Sequence, residues 1–336
     1  MIRTRLIVTA LVLLTAHSVW PQDKPSVSEV DRIRLAEAFR LGESLGDRVW
    51  KDWNKAPFAV LLVTPEYEFL IRHPRPSKDF TLIGYDSMLK SNVYSRKRKF
   101  ATSLLATFPA VGGVSTIVIG RAENTDKKTS TPWVITMLHE HFHQLQDSQP
   151  NSYAETEALN LSHGDQTGMW MLNYAFPYNS LEVKQQVSVL GLLLVEALQA
   201  KKSAFSTRLA AYLEARRQLQ KMLSPDDYKY FSFQLWKEGF ARYTEYRTAK
   251  LAAHGYKPSK QFRALKDFTS FGTVADQILS AIMKELSTLR LEDSKRVAFY
   301  PLGAGEGLLL DRANPKWQSC YFADKFHVEG YFSSAR

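Results

Sequence analysis

Residues 139–143 read His139-Glu140-His141-Phe142-His143. The approach over residues 132–138, Pro-Trp-Val-Ile-Thr-Met-Leu, predicts a helix. On a helix, residues i and i+4 share a face, so His139 and His143 are placed to hold one metal ion between them. Glu140 stands next to them, within reach of a water polarised by that metal, and is the candidate general base. His141 lies two residues from each candidate ligand, about 200° round the helix, and points away from the metal. The chain has one cysteine, Cys320. An intramolecular disulfide and a Cys-rich zinc site are therefore excluded, and any metal must use imidazole and carboxylate ligands. A catalytic zinc takes three protein ligands and leaves a position for water, so a third ligand must come from elsewhere.

Residues 236–245 read Trp-Lys-Glu-Gly-Phe-Ala-Arg-Tyr-Thr-Glu. Together with H-E-x-x-H, this resembles the gluzincin class of zinc metallopeptidases. In that class the third zinc ligand is a Glu on a later helix, often in an E-G-x-A context. The match here is Glu238-Gly239-Phe240-Ala241. The resemblance covers the two motifs and their order, in a divergent subfamily. It implies a zincin-like catalytic unit with Zn2+ held by His139, His143 and Glu238. The spacing departs from the family pattern. Members place the Glu soon after the second His, a position that falls here near Ser162, whereas Glu238 lies 95 positions beyond His143. Glu157 is the second candidate, and Glu155 and His163 stand in the same stretch. Glu245 shares a helical face with Glu238 at i+7 and is placed to support the ligands from behind.

The same resemblance implies a mechanism in which Glu140 activates a water and an additional donor stabilises the oxyanion. Tyr300 is the first candidate for that donor, followed by Tyr243 and His327. Tyr300 precedes Pro301-Leu302-Gly303-Ala304-Gly305. The glycines 303, 305 and 307 suggest a phosphate loop only superficially. No Lys-Ser/Thr follows, and the reading is instead a small-residue helix that packs closely.

The elements that must carry these residues follow from apolar spacing. Residues 28–53 have helical periodicity up to Pro57. Residues 58–63 and 66–71 suggest a hairpin around Pro65, and 80–85 another strand. The Val-Ser-Thr-Ile-Val-Ile-Gly run at 114–120 is the strongest strand signal. In the zinc peptidases that the chain resembles, a strand before the metal helix commonly forms the edge of the cleft and pairs with an extended peptide, which implies that role for 114–120. After Pro150 the chain reads as helices at 154–160, 181–200, 205–222, 225–254, 273–288 and 304–312. The aromatic-rich stretch 170–178 is either a wall of the cleft or a packed loop. The fold class expected is α+β, mainly α. A small N-terminal mixed sheet over residues 19–125 precedes a helical zinc-binding catalytic part over 126–336.

Bulk properties bound the function. The 336 residues are 45% hydrophobic, which suffices for a sizeable core. Lys and Arg exceed Asp and Glu by ten. They are dispersed along the chain, and the densest cluster, 96–99, reads as a solvated turn or helix face, so no nucleic-acid partner is expected. Arg3 and Arg5 precede a nine-residue apolar run at 6–14 and the small residues Ala16 and Ser18. This is a signal peptide over 1–18, so the chain is expected to be exported, to the periplasm or outside the cell, with no stable membrane insertion after cleavage. The expected function is an exported zinc metallopeptidase acting on a peptide or protein substrate. The alternatives are a zinc hydrolase of a non-peptide amide or ester, and a zincin-fold binding protein without catalysis.

Overall fold

The computed structural model describes residues 25–333, and the expected signal segment 1–18 lies outside them. Helix α1 (Glu29–Val49) opens with Ser28, whose hydroxyl accepts from the Asp31 N–H, and carries Glu29 and Asp31 in its first turn. Six strands follow: β1 (Val60–Val63), β2 (Tyr67–Ile71), β3 (Thr81–Asp86), β4 (Ser91–Lys97), β5 (Leu105–Val111) and β6 (Val114–Gly120). They form one mixed sheet in the order β3-β4-β2-β1-β6-β5, antiparallel except for the β1–β6 pair.

Alternation divides the sheet's side chains between two cores. Val60, Leu62, Phe69, Ile71, Ile117 and Ile119 face the helices and join the main core. Leu61, Val63, Leu70 and Val118 face the other way, into a small core closed by Phe80 and Val111.

Helix α2 (Ser130–Asp147) packs on β5 and β6 and is buried almost all round, as a helix in the middle of a core must be. Its N-terminus is held by Asp267, whose carboxylate accepts from the Ser130 N–H at 2.9 Å and the Ser130 hydroxyl at 2.7 Å. Further helices are α3 (Leu181–Gln199), α4 (Phe205–Met222), α5 (Pro225–Gln234), α6 (Phe240–Gly255), α7 (Phe271–Ser287) and α8 (Phe299–Ala313). Between α5 and α6 the chain does not break but passes through one π-helical turn, Leu235–Gly239. The main core runs from Ile33 in α1 to Tyr331 near the C-terminus. Because α1 packs on α2 and α6, the expected division near residue 125 does not separate two cores.

Two expectations need correction. β6 is not an edge strand, because it pairs with β1 on one side and β5 on the other. The edge beside α2 is β5, which sequence spacing missed because Leu-Ala-Thr-Phe-Pro-Ala-Val neither alternates nor lacks proline. The basic cluster at 96–99 is solvated at Lys97, Arg98 and Lys99, which are exposed, but it lies at a strand end and not on a helix. It begins on β4, and the half-buried Arg96 sits between Glu68 at 2.7 Å and Asp79 at 2.9 Å.

Candidate metal centre

His139 and His143 project from one face of α2, and their Nε2 atoms stand 3.2 Å apart. Glu238 enters from the π turn. Its Oε2 lies 3.8 Å from His139 Nε2 and 3.5 Å from His143 Nε2. A π turn inserts one extra residue into the helical path and so rotates a side chain out of the usual register. Gln146 of α2 donates to the carbonyls of Trp236 and Lys237 in that turn, which ties the two helices together at the site.

The two imidazoles are oriented from behind. His139 Nδ1 lies 2.9 Å from Glu245 Oε1, and His143 Nδ1 lies 2.7 Å from Gln146 Oε1. His143 Nδ1 is held by Gln146, the arrangement in which an imidazole is oriented by an acceptor on its other nitrogen, whereas His139 Nδ1 faces the Glu245 carboxylate at ion-pair distance without a hydrogen bond, and both Nε2 atoms face Glu238.

The donor set fits a zinc ion. Donor atoms round a tetrahedral zinc stand about 3.3 Å apart, given bond lengths near 2.0–2.1 Å. The three facing atoms here are separated by 3.2, 3.5 and 3.8 Å. Among the described residues, His139, His143 and Glu238 are the group of ligand-type side chains whose ligand atoms converge within 4.8 Å. The charges point the same way. Burial opposes a charge on His139, yet Glu238 and Glu245 outweigh it and raise its pKa to about 10. Burial likewise disfavours the Glu238 carboxylate, but the two imidazoles hold it well below the usual range. Glu245 is held at about 2, against its burial, by Arg242 and His139. Negative charge converging on buried imidazoles favours positive charge there, whether a proton or a metal ion.

Glu140 is buried beside the candidate ligands. Thr107 of β5 donates to its carboxylate Oε2 at 2.7 Å and lies 3.0 Å from its backbone carbonyl. Tyr300, in the first turn of α8, stacks 6.3 Å from the His139 ring. Arg296 donates to the Tyr300 hydroxyl at 3.0 Å and lies 3.7 Å from Glu238 Oε1. Burial and Glu238 push the Tyr300 phenol well above its ordinary pKa, so it stays protonated and can donate. Spacing gave no signal for Thr107 or Arg296, which reach the site through non-local packing. Gln146, at i+3 from His143, was within reach of a helical-face argument and was missed.

The other candidates lie elsewhere. Glu157 ends a short helix (Ser152–Glu157), is exposed, and accepts from Ser162. Glu155 pairs with Lys325 at 2.6 Å, and His163 and His327 are exposed. Tyr243 is buried and donates to Asp311. His141 turns from the metal face as its angle requires. It stacks on Phe58 at 3.8 Å, and burial lowers its pKa to about 4. The aromatic stretch packs against Tyr230 and Phe299 through Tyr174 and Phe176, near the start of α8.

Compared with protein-family models, curated proteins and solved structures, the chain finds no match.

Proposed function

We propose that this chain is an exported zinc metallopeptidase, of the divergent gluzincin type that its two motifs resemble. The observation that carries the reading is the convergence of His139 Nε2, His143 Nε2 and Glu238 Oε2, with Glu140 alongside. Bound by those three residues, zinc would supply Lewis-acid polarisation of a carbonyl and acidify a water. The rest of the chemistry belongs to the chain. Glu140, steadied by Thr107, accepts the proton of the attacking water and passes it to the leaving nitrogen as the C–N bond breaks. Tyr300 donates its O–H to the oxyanion on the tetrahedral carbon, while its own oxygen accepts from Arg296.

A peptide substrate is favoured over a small amide or ester by the edge of the sheet. Gly120 N–H donates to the Leu104 carbonyl, and the β5–β6 register pairs Leu105 with Ile119 and Thr107 with Ile117. By the alternation of an antiparallel ladder, Leu105 and Thr107 then turn their backbone groups toward the open side. That side is free to pair with an extended peptide, next to the Thr107–Glu140 contact.

Digestion of a mixed peptide library by the zinc-loaded full chain tests the reading. Cleavage that Glu140→Gln lowers by about 100-fold or more, with zinc retained, is the result expected. Full activity in Glu140→Gln would overturn the mechanism. Hydrolysis of small esters or amides with no peptide cleaved would move the substrate to the non-peptide class.

A further inference from the structure

Beside Glu245, α2, α6, α7 and the loop before α2 line an open pocket of about 160 Å³. Ile135, Val274 and Ile278 are among its apolar walls, and Lys127, Arg242 and Glu245 are charged groups on it. Arg242 is poorly satisfied. Its guanidinium nitrogens lie 3.5 Å from Glu245 and 3.4 Å from Glu285, and its Nε is buried with no hydrogen-bond partner. Lys127 pairs with the mostly exposed Asp126 of its own loop at 3.4 Å and adds positive charge near Glu245. Glu245 is already committed to His139 and Arg242. The lining therefore offers two cations, one of them with an orphaned buried donor, above an aliphatic floor.

We propose that this cavity binds a small aliphatic carboxylate, with its tail against Ile135, Val274 and Ile278 and its anionic head on Arg242 and Lys127, and that its occupancy tightens the metal centre through Glu245. The space is that of about five waters, enough for a short-chain acid and too small for a peptide. An unpaired buried N–H costs free energy that an acceptor on the ligand recovers. The coupling to zinc rests on the reading of the metal centre given above. A carboxylate that draws on Arg242 and Lys127 loosens their hold on Glu245, which is then a better acceptor for His139. It also adds negative charge close to the metal. Both changes favour a bound cation, and the effect is reciprocal by linkage.

The test uses hexanoate, with hexylamine as a probe of matched shape and opposite charge, on the full chain carrying labelled isoleucine methyls. Saturable shifts at Ile135 and Ile278 with hexanoate and not with hexylamine are expected. Saturating hexanoate should also tighten zinc about fivefold in a chelator competition. Ile278→Trp, which fills the cavity, should abolish both effects. Arg242→Gln should remove the preference for hexanoate over hexylamine, and serves if the tryptophan variant does not fold. No shift at either methyl, or equal binding of hexylamine, would overturn the ligand assignment. Hexanoate binding with unchanged zinc affinity would overturn the coupling. Failure to bind zinc, with the hexanoate shifts intact, would sink the metal reading and the coupling but not the ligand site.

Discussion

Gly239 and Gly303 meet backbone to backbone. A β-carbon on Gly239 would lie 2.4 Å from the Cα of Gly303, and one on Gly303 would lie 2.6 Å from the Cα of Gly239. Gly239 follows the candidate ligand Glu238, and Gly303 lies one turn beyond Tyr300. The crossing of the π turn with α8 thus sets the distance between a candidate ligand and a candidate proton donor. Gly307 extends the close approach by lying against the Tyr243 ring.

Replacing either glycine with alanine forces two backbones apart, which no side-chain rotation can relieve. We expect Gly303→Ala to cost about 3 kcal/mol, at the upper end of overpacking penalties. Zinc affinity should fall with it, because Glu238 moves relative to α2. Urea unfolding combined with chelator competition checks both. Unchanged stability would mean that the crossing is looser than described.

The support behind His139 makes a separate prediction. Glu245→Gln keeps the shape but removes the charge that faces Nδ1 at 2.9 Å. Loss of such a partner weakens metal binding by about 10- to 100-fold. The same chelator competition should show that loss while the fold, read by circular dichroism, is retained. Zinc affinity within about twofold of the parent would remove Glu245 from the site.

His73 provides a pH dependence remote from the metal. Its Nε2 lies 3.2 Å from the Val111 carbonyl, and its Nδ1 accepts from the Arg75 N–H. Both nitrogens are engaged by a neutral ring. Burial lowers its pKa, the Val111 bond opposes that, and Arg75 lowers it further. A base held neutral in the fold binds protons more readily when unfolded. Its contribution is therefore complete above an unfolded pKa of about 6.5 and lost as pH falls through the window below that value. His73→Gln, which keeps a donor for Val111, should lose less stability than the parent between about pH 7.5 and pH 5. Equal losses in the two proteins would show that His73 does not titrate with unfolding.

The helices were largely legible because their signals are local. The 205–222 segment coincides with α4, and 181–200 differs from α3 by one residue, since apolar spacing of three to four residues is sustained in both. The Ile117-Val118-Ile119 core of β6 was equally plain. What spacing could not supply was pairing. Whether β6 or β5 stands at the sheet edge depends on a parallel β1–β6 contact between residues more than fifty positions apart. The third candidate ligand was obscured for a related reason. Glu157 is near His143 in the chain but exposed, whereas Glu238 is distant in the chain and is brought back by the Gln146 bonds and the Gly239–Gly303 crossing. Arg296 carried no sequence signal, since it reaches Tyr300 and Glu238 only once α8 has docked.

The most direct measurement is metal content by plasma mass spectrometry of the zinc-supplied full chain, the Glu238→Ala variant and the Glu157→Ala variant. The arrangement of His139, His143 and Glu238 calls for one zinc per chain in the parent and in Glu157→Ala, and a large loss in Glu238→Ala. A parent without zinc, or a Glu238→Ala variant that keeps it while Glu157→Ala loses it, would contradict the metal centre described.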